Sequence, residues 1–141
     1  MTDPSRFQRL FAIVEDEVAK GEHTGSKSCA KGLLWLKRAM QFIVGLVRGI
    51  GRGEDTSTAV QEAYSTTLKP YHGMFSYGAF QTAFRFLPTS ETLLAAVCGG
   101  GAADEASARA EFAAFAGAFT PLLEEVDAWI EAKGLNDPAK V

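Results

Sequence analysis

Trp35 sits in the segment LLWLKRAMQFIVGLV, with Lys31 four residues before it and Arg38 three residues after it. On a helix these spacings bring all three side chains to neighbouring positions. A large aromatic face with cations beside it can hold a molecule that is part apolar and part polar. This is binding chemistry rather than bond-making chemistry. The other reactive side chains do not form a recognisable constellation. His23 and His72 have no Cys, Asp or Glu at metal-ligand spacing, so neither a metal site nor a cofactor is expected. No GxSxG or comparable nucleophile motif occurs. Gly99–Gly101 follows no strand and reads as a linker rather than a phosphate loop. The carboxylates of Glu124, Glu125 and Asp127 read as a solvated helix face. An enzyme is not expected.

The element that must position Trp35 is a helix over about 28–50. It carries two apolar stripes: Leu33, Leu36, Met40, Ile43 and Val47 form one, and Trp35, Ala39, Phe42 and Leu46 the other. An ordinary surface helix has one stripe. This helix is therefore expected to be covered on both sides, by protein on both or by protein on one and a ligand on the other.

The rest of the chain also reads as helices. Thr2 or Asp3 before Pro4 starts the first, which carries Phe7, Leu10, Phe11, Val14 and Val18. Asp55–Ser57 offers caps for a helix with Ala59, Val60, Ala63, Tyr64 and Leu68, and Pro70 ends it. The stretch YHGMFSYGAFQTAFRFL is apolar on two sides, with His72, Phe75, Ala79 and Phe86 on one and Tyr77, Phe80, Phe84 and Leu87 on the other. A short helix is predicted over 91–97. A long one over about 104–133 carries Phe112, Phe115, Phe119 and Trp129, with Thr120-Pro121 predicted to kink or split it. No alternating strand pattern stands out. The expectation is one all-α domain over 1–141, in layers, with Leu33, Leu36, Met40, Ile43, Val47, Phe80, Phe84 and Phe112 buried.

Charge is unevenly spread. The net charge is −3, yet Lys27 to Arg52 holds six cations and no acid, while acids dominate from Asp104 to Glu131. Nucleic acid is not expected as the main partner. No apolar run is long enough for a membrane span. No leader pattern opens the chain, so the expected compartment is the cytoplasm, with Cys29 and Cys98 as free thiols.

The stretches GLLWLKRAMQFI and AYSTTLKPYHGMFSYGAFQTAFRFLPT resemble the glycolipid transfer protein family, and the resemblance runs on to the final Lys-Val. It implies an all-α, two-layer helical sandwich that carries a sphingolipid between membranes without chemistry. By resemblance, a sugar ring stacks on Trp35 and His72 hydrogen-bonds the ceramide amide region, with Lys31 and Arg38 beside the headgroup. Phe42, Leu46, Phe75, Ala79, Phe86, Phe112 and Phe115 then line the lipid-chain pocket. A related branch binds phosphorylated ceramide through arginines near the tryptophan position. Trp35 favours the sugar-binding branch, while Arg38 keeps the other open. The family's helix ahead of the position of Phe7 carries an Asp-x-x-x-Asn-x-x-Lys triplet that has no counterpart here. The sandwich is therefore expected to be shortened at its N-terminus by two helices.

Without the resemblance, plainer readings stand. Trp35 and the phenylalanines are then core, His72 a structural histidine, and Lys31, Lys37 and Arg38 a solvated face. The partners expected are a sphingolipid, a transient membrane surface and a second copy of the chain. The homodimer contact is expected at Phe7, Leu10, Phe11, Val14 and the Trp35 face. The alternative is an oligomeric helical interaction module that carries no lipid.

Overall fold

The computed structural model describes residues 4–98 and 105–141, with residues 4–8 described by their backbone alone. The cap expected at Thr2 or Asp3, the Phe7 side chain and the linker at Gly99–Gly101 lie outside the described residues. Among the described residues there are six α-helices: α1 (Pro4–Ala19), α2 (Cys29–Gly51), α3 (Thr56–Thr67), α4 (Met74–Phe84), α5 (Ser90–Val97) and α6 (Glu105–Ala132). A 3₁₀ turn over Lys69–Tyr71 precedes α4, and no strand occurs among the described residues.

The helix starts follow the local sequence. Ser28 Oγ accepts from the Lys31 N–H at 3.2 Å, and the Glu17 carboxylate of α1 accepts from the N–H groups of Cys29 and Ala30 at 2.7 and 2.8 Å. Side chains thus meet three donors that a helix start leaves open, and the carboxylate sits at the positive end of the helix dipole. Asp55 and Thr89 cap α3 and α5 in the same manner. Gly53 and Gly134, at φ 98° and 67°, end α2 and α6 in the left-handed conformation that glycine adopts without strain.

α2 is the middle helix, packed most extensively against α3 and α6. Glycine allows these close approaches. A Cβ on Gly49 would stand 2.8 Å from Ala59 Cβ of α3, and one on Gly51 would stand 3.1 Å from the Arg109 carbonyl oxygen of α6. α1 joins α2 and α6 around a core of Val14, Ala30, Leu33, Leu34, Val126 and Ile130, with Phe11 stacked on Trp129 at 4.3 Å. A second cluster, Ile50, Ala59, Leu94 and Ala108, closes the other end.

Several expectations are corrected. Leu36 and Ile43 were expected in the core but are 59% and 41% exposed. Of that predicted set Leu33 is fully buried, while Met40, Val47, Phe80, Phe84 and Phe112 are half-buried. The cause is the rotation of α2. Lys37 and Arg38 turn inward, and on another arc Leu36 and Ile43 are left exposed beside half-buried Met40 and Val47. The Lys37 ammonium, 5% exposed, meets Asp127 of α6 at 2.6 Å. α6 runs unbroken through Pro121. Proline removes one helical hydrogen bond, but buried Ala116 and Val126 hold the helix on either side, and Arg48 of α2 donates to the Thr120 hydroxyl. His72 lies outside α4, in extended backbone between the 3₁₀ turn and Gly73.

Candidate functional site

Pro70 ends the run of α3, and the 3₁₀ turn that follows swings His72 back toward α2. There the imidazole stacks on the Trp35 indole, with ring centroids 6.1 Å apart and planes 18° from parallel. His72 is buried, and its Nδ1 lies 2.9 Å from the hydroxyl of Tyr64, a fully buried residue of α3. Burial pushes the imidazole pKa below its ordinary value. Burial, aided by nearby Tyr77, raises that of the Tyr64 phenol. Both groups are thus held neutral at physiological pH. When Nδ1 accepts from the Tyr64 O–H, Nε2 keeps the ring proton and remains a donor.

Arg38 lies beneath this pair and is 1% exposed. Its guanidinium sits 3.4 Å from the Tyr71 ring centroid and 4.9 Å from that of Trp35. Nη2 donates to Asn136 Oδ1 at 2.9 Å and to the Asp137 carbonyl at 2.7 Å. Burial weakens its hold on its proton, opposed by Tyr71 and Asp137, and an arginine so placed stays charged. The chain after α6 is strapped to the same place. The Val141 N–H donates to the Tyr71 carbonyl at 2.9 Å, and the Gly73 N–H donates to the Val141 carbonyl at 2.7 Å. Lys31 reaches Asp137 at 3.4 Å. Lys27, Lys31, Trp35, Arg38, Asp137 and Val141 line a cavity of about 350 Å³.

Behind Trp35 an aromatic wall joins three helices. Phe42 of α2 faces Phe84 of α4 at 6.3 Å, and Tyr64 of α3 stacks on Phe80 at 5.4 Å. Leu46 and Phe112 pack farther along against the Ile50 cluster. From Trp35 to Leu46 this track rises about 16 Å along α2.

The structure brings Trp35, His72, Arg38 and Lys31 together, and joins Phe42, Leu46 and Phe112 to the apolar track. It does not bring Phe75, Ala79 and Phe86 into that wall. All three are exposed, Phe75 at 92% and Phe86 at 83%, because α4 packs through its opposite face of Phe80 and Phe84. Phe115 is 37% exposed and stacks on Phe119 at 4.5 Å. Sequence reasoning missed Tyr64, Tyr71, Asn136 and Asp137. Tyr64 read as core, and Tyr71 carried a signal only as the neighbour of His72.

Comparison with known proteins gives consistent matches. The family model described as Glycolipid transfer protein (GLTP) matches residues 1–99. Glycolipid transfer protein 1 of Arabidopsis thaliana is 31% identical over 139 residues, which is 97% of this chain and 66% of that protein. Glycolipid transfer protein 2 of the same plant is 32% identical, over 96% of this chain and 61% of its own length. The chain thus spans just under two thirds of the curated relatives that it matches end to end. The structure showing how FAPP2 selects simple glycosphingolipids using the GLTP fold superposes with a TM-score of 0.76 at 30% identity, over 92% of this chain and 64% of that one. A variant of Arabidopsis ACD11 in complex with ceramide-1-phosphate superposes with a TM-score of 0.79 at 21% identity, over 88% and 62%.

Proposed function

This chain belongs to the glycolipid transfer protein family, and from that premise we propose that it is a carrier that lifts a sphingolipid from one membrane and delivers it to another. The observation that carries the reading is the Trp35–His72 stack, in which Trp35 also lines a cavity with Lys27, Lys31 and Arg38. Removing a lipid from a bilayer exposes its tails at about 0.8 kcal/mol per methylene unless apolar surface receives them. Phe42, Leu46, Phe112 and Phe115 are the receiving surface in this reading. At the other end, Trp35 stacks the headgroup ring and His72 donates a hydrogen bond toward the amide. Polar groups buried without such partners would be costly. No covalent step is assigned to the site. Relatives of this fold described with simple glycosphingolipids and with ceramide-1-phosphate support a two-part sphingolipid as the ligand class.

Loading requires transient contact with a bilayer. Met74, Phe75, Phe86 and Leu87, exposed at the two ends of α4 with Lys69 and Arg85 nearby in sequence, suit such contact. The cytoplasm is the compartment we assign, and the exposed free thiol of Cys29 suits it. No helix among the described residues is long and apolar enough to cross a membrane. A homodimer through the open arc of α2 is also part of this reading. The α1 contact expected from sequence is set aside, because Leu10, Phe11 and Val14 are used inside the core of one chain.

Native mass spectrometry of the chain expressed in a sphingolipid-containing host tests the proposal. A bound sphingolipid is expected in the wild type, reduced at least tenfold in Trp35→Ala. A folded wild type that arrives without lipid and moves none between vesicles refutes the carrier reading.

A further inference from the structure

We propose that the N-terminal half of α6, residues 105–116, is a flap that swings about a hinge at Gly117–Pro121 and admits a hydrocarbon chain between itself and α2. The inference rests on the carrier reading and assigns the element that moves when the carrier loads.

The closed arrangement has no room for that chain. Phe42 and Leu46 stand on α2 and Phe112 and Phe115 on α6, so a chain that touches all four lies between the two helices. Yet the two backbones meet there. A Cβ on Gly51 would stand 3.1 Å from the Ala113 nitrogen and 3.1 Å from the Arg109 carbonyl oxygen. Nonbonded carbons settle at about 3.5–4.0 Å from their neighbours, so nothing as thick as a methylene chain passes beside Gly51. Phe112 is packed on the Ile50 cluster, as Leu46 is. Seating a chain against these residues requires one helix to give way.

The weak point lies in α6. Pro121 has no N–H to give to the Gly117 carbonyl, its helical partner by position. Gly117, where an added Cβ would meet nothing within 4 Å, is the poorest helix former short of proline. The Thr120 hydroxyl donates to the Ala116 carbonyl at 2.6 Å, a kind of bond that bends helices. The two sides of this point are held unequally. Beyond it Val126 and Ile130 are buried, Trp129 stacks on Phe11, and Asp127 takes the buried Lys37 ammonium. Ahead of it the buried side chains are those of Ala108 and Ala116, and a methyl buries little apolar area. An element held so lightly opens at a lower free energy than the core. Arg109, donating to the Ile50 carbonyl, and Arg48, donating to the Thr120 hydroxyl, are polar latches that close it. Opening carries Phe112 and Phe115 away from α2, while Lys31, Trp35, Arg38 and Asp137, on α2 or beyond the hinge, keep their cavity.

Hydrogen exchange read by mass spectrometry tests the hinge. Stopped-flow tryptophan emission, with galactosylceramide or ceramide-1-phosphate in phosphatidylcholine vesicles, tests its purpose. In the lipid-free wild type the amides of 109–119 are expected to exchange at least about tenfold faster than those of 122–132, and to slow once lipid is bound. Pro121→Ala is expected to slow their exchange by about tenfold or more and to slow uptake severalfold, with the amides of 122–132 unchanged. Arg48→Met is expected to speed both. Equal exchange on the two sides of Pro121 overturns the inference. Exchange that ignores Pro121→Ala overturns it too, because fraying from the start of α6 does not depend on residue 121. Uptake at the wild-type rate in either variant makes the hinge irrelevant to loading and overturns it as well. Each of these results leaves the carrier reading standing. A folded wild type that takes up neither lipid sinks both.

Discussion

At the scale of the residue, His72 couples the site to pH. Buried against Tyr64 and Phe80, it binds a proton less readily in the folded chain than at its ordinary value of 6.5. The unfolded chain takes that proton first. The stability that neutral His72 contributes is therefore complete above about 6.5 and is lost as pH falls from there through the lower folded value. Thermal midpoints measured from pH 8 to 5 should fall more steeply for the wild type than for His72→Gln. Parallel curves would show that His72 does not titrate with folding. Trp35 and His72 were legible because the segments WLKR and YHG carry a family pattern. Tyr71 and Asp137 were not, because what makes them part of the site is Arg38, and Arg38 meets the tail 98 and 99 positions away. Local spacing holds no trace of that pairing.

At the scale of the element, the α2–α3 contact depends on missing side chains. A methyl on Gly49 would stand 2.8 Å from Ala59 Cβ and 2.6 Å from the Glu54 carboxylate. Gly49→Ala should therefore destabilise the fold by about 1–3 kcal/mol, as overpacking does, despite the better helix propensity of alanine. Gly32→Ala, where nothing lies within 4 Å, should be neutral or stabilising. Urea denaturation of the two variants decides the matter, and equal midpoints would refute the close-packing argument. Helix number and extent were readable from caps, prolines and period. The side that α2 buries was not. Both its stripes are apolar, and Lys37 and Arg38 read as a solvated face until Asp127 and Asn136, far along the chain, supply their partners. Periodicity reports that a face is apolar and is silent on what covers it. The same ambiguity misassigned α4, where Phe75 and Phe86 are as apolar as Phe80 and Phe84 but face outward.

At the scale of the whole molecule, the surface is large for the mass. The chain exposes 8743 Å², whereas a folded monomer of 15.1 kDa exposes about 7,100 Å², an excess of roughly 1,600 Å². Leu36 and Ile43 of α2 and Phe115 of α6 contribute apolar area to it. A stable interface covers about 800 Å² per partner, so the excess is ample for a symmetric pair. Sedimentation equilibrium at micromolar concentration should report a dimer, and Ile43→Glu should shift it to monomer. A wild-type monomer across that range would exclude the pairing. The strap formed by residues 136–141 has a consequence in time. Lys31, Trp35 and Arg38 leave the ribosome early, while the segment that completes their cavity is translated last among these 141 residues. Contacts so distant in sequence are slow to form. A nascent chain can thus pair α1 with α2 early, while the cavity beside Trp35 stays incomplete until the segment after α6 has emerged.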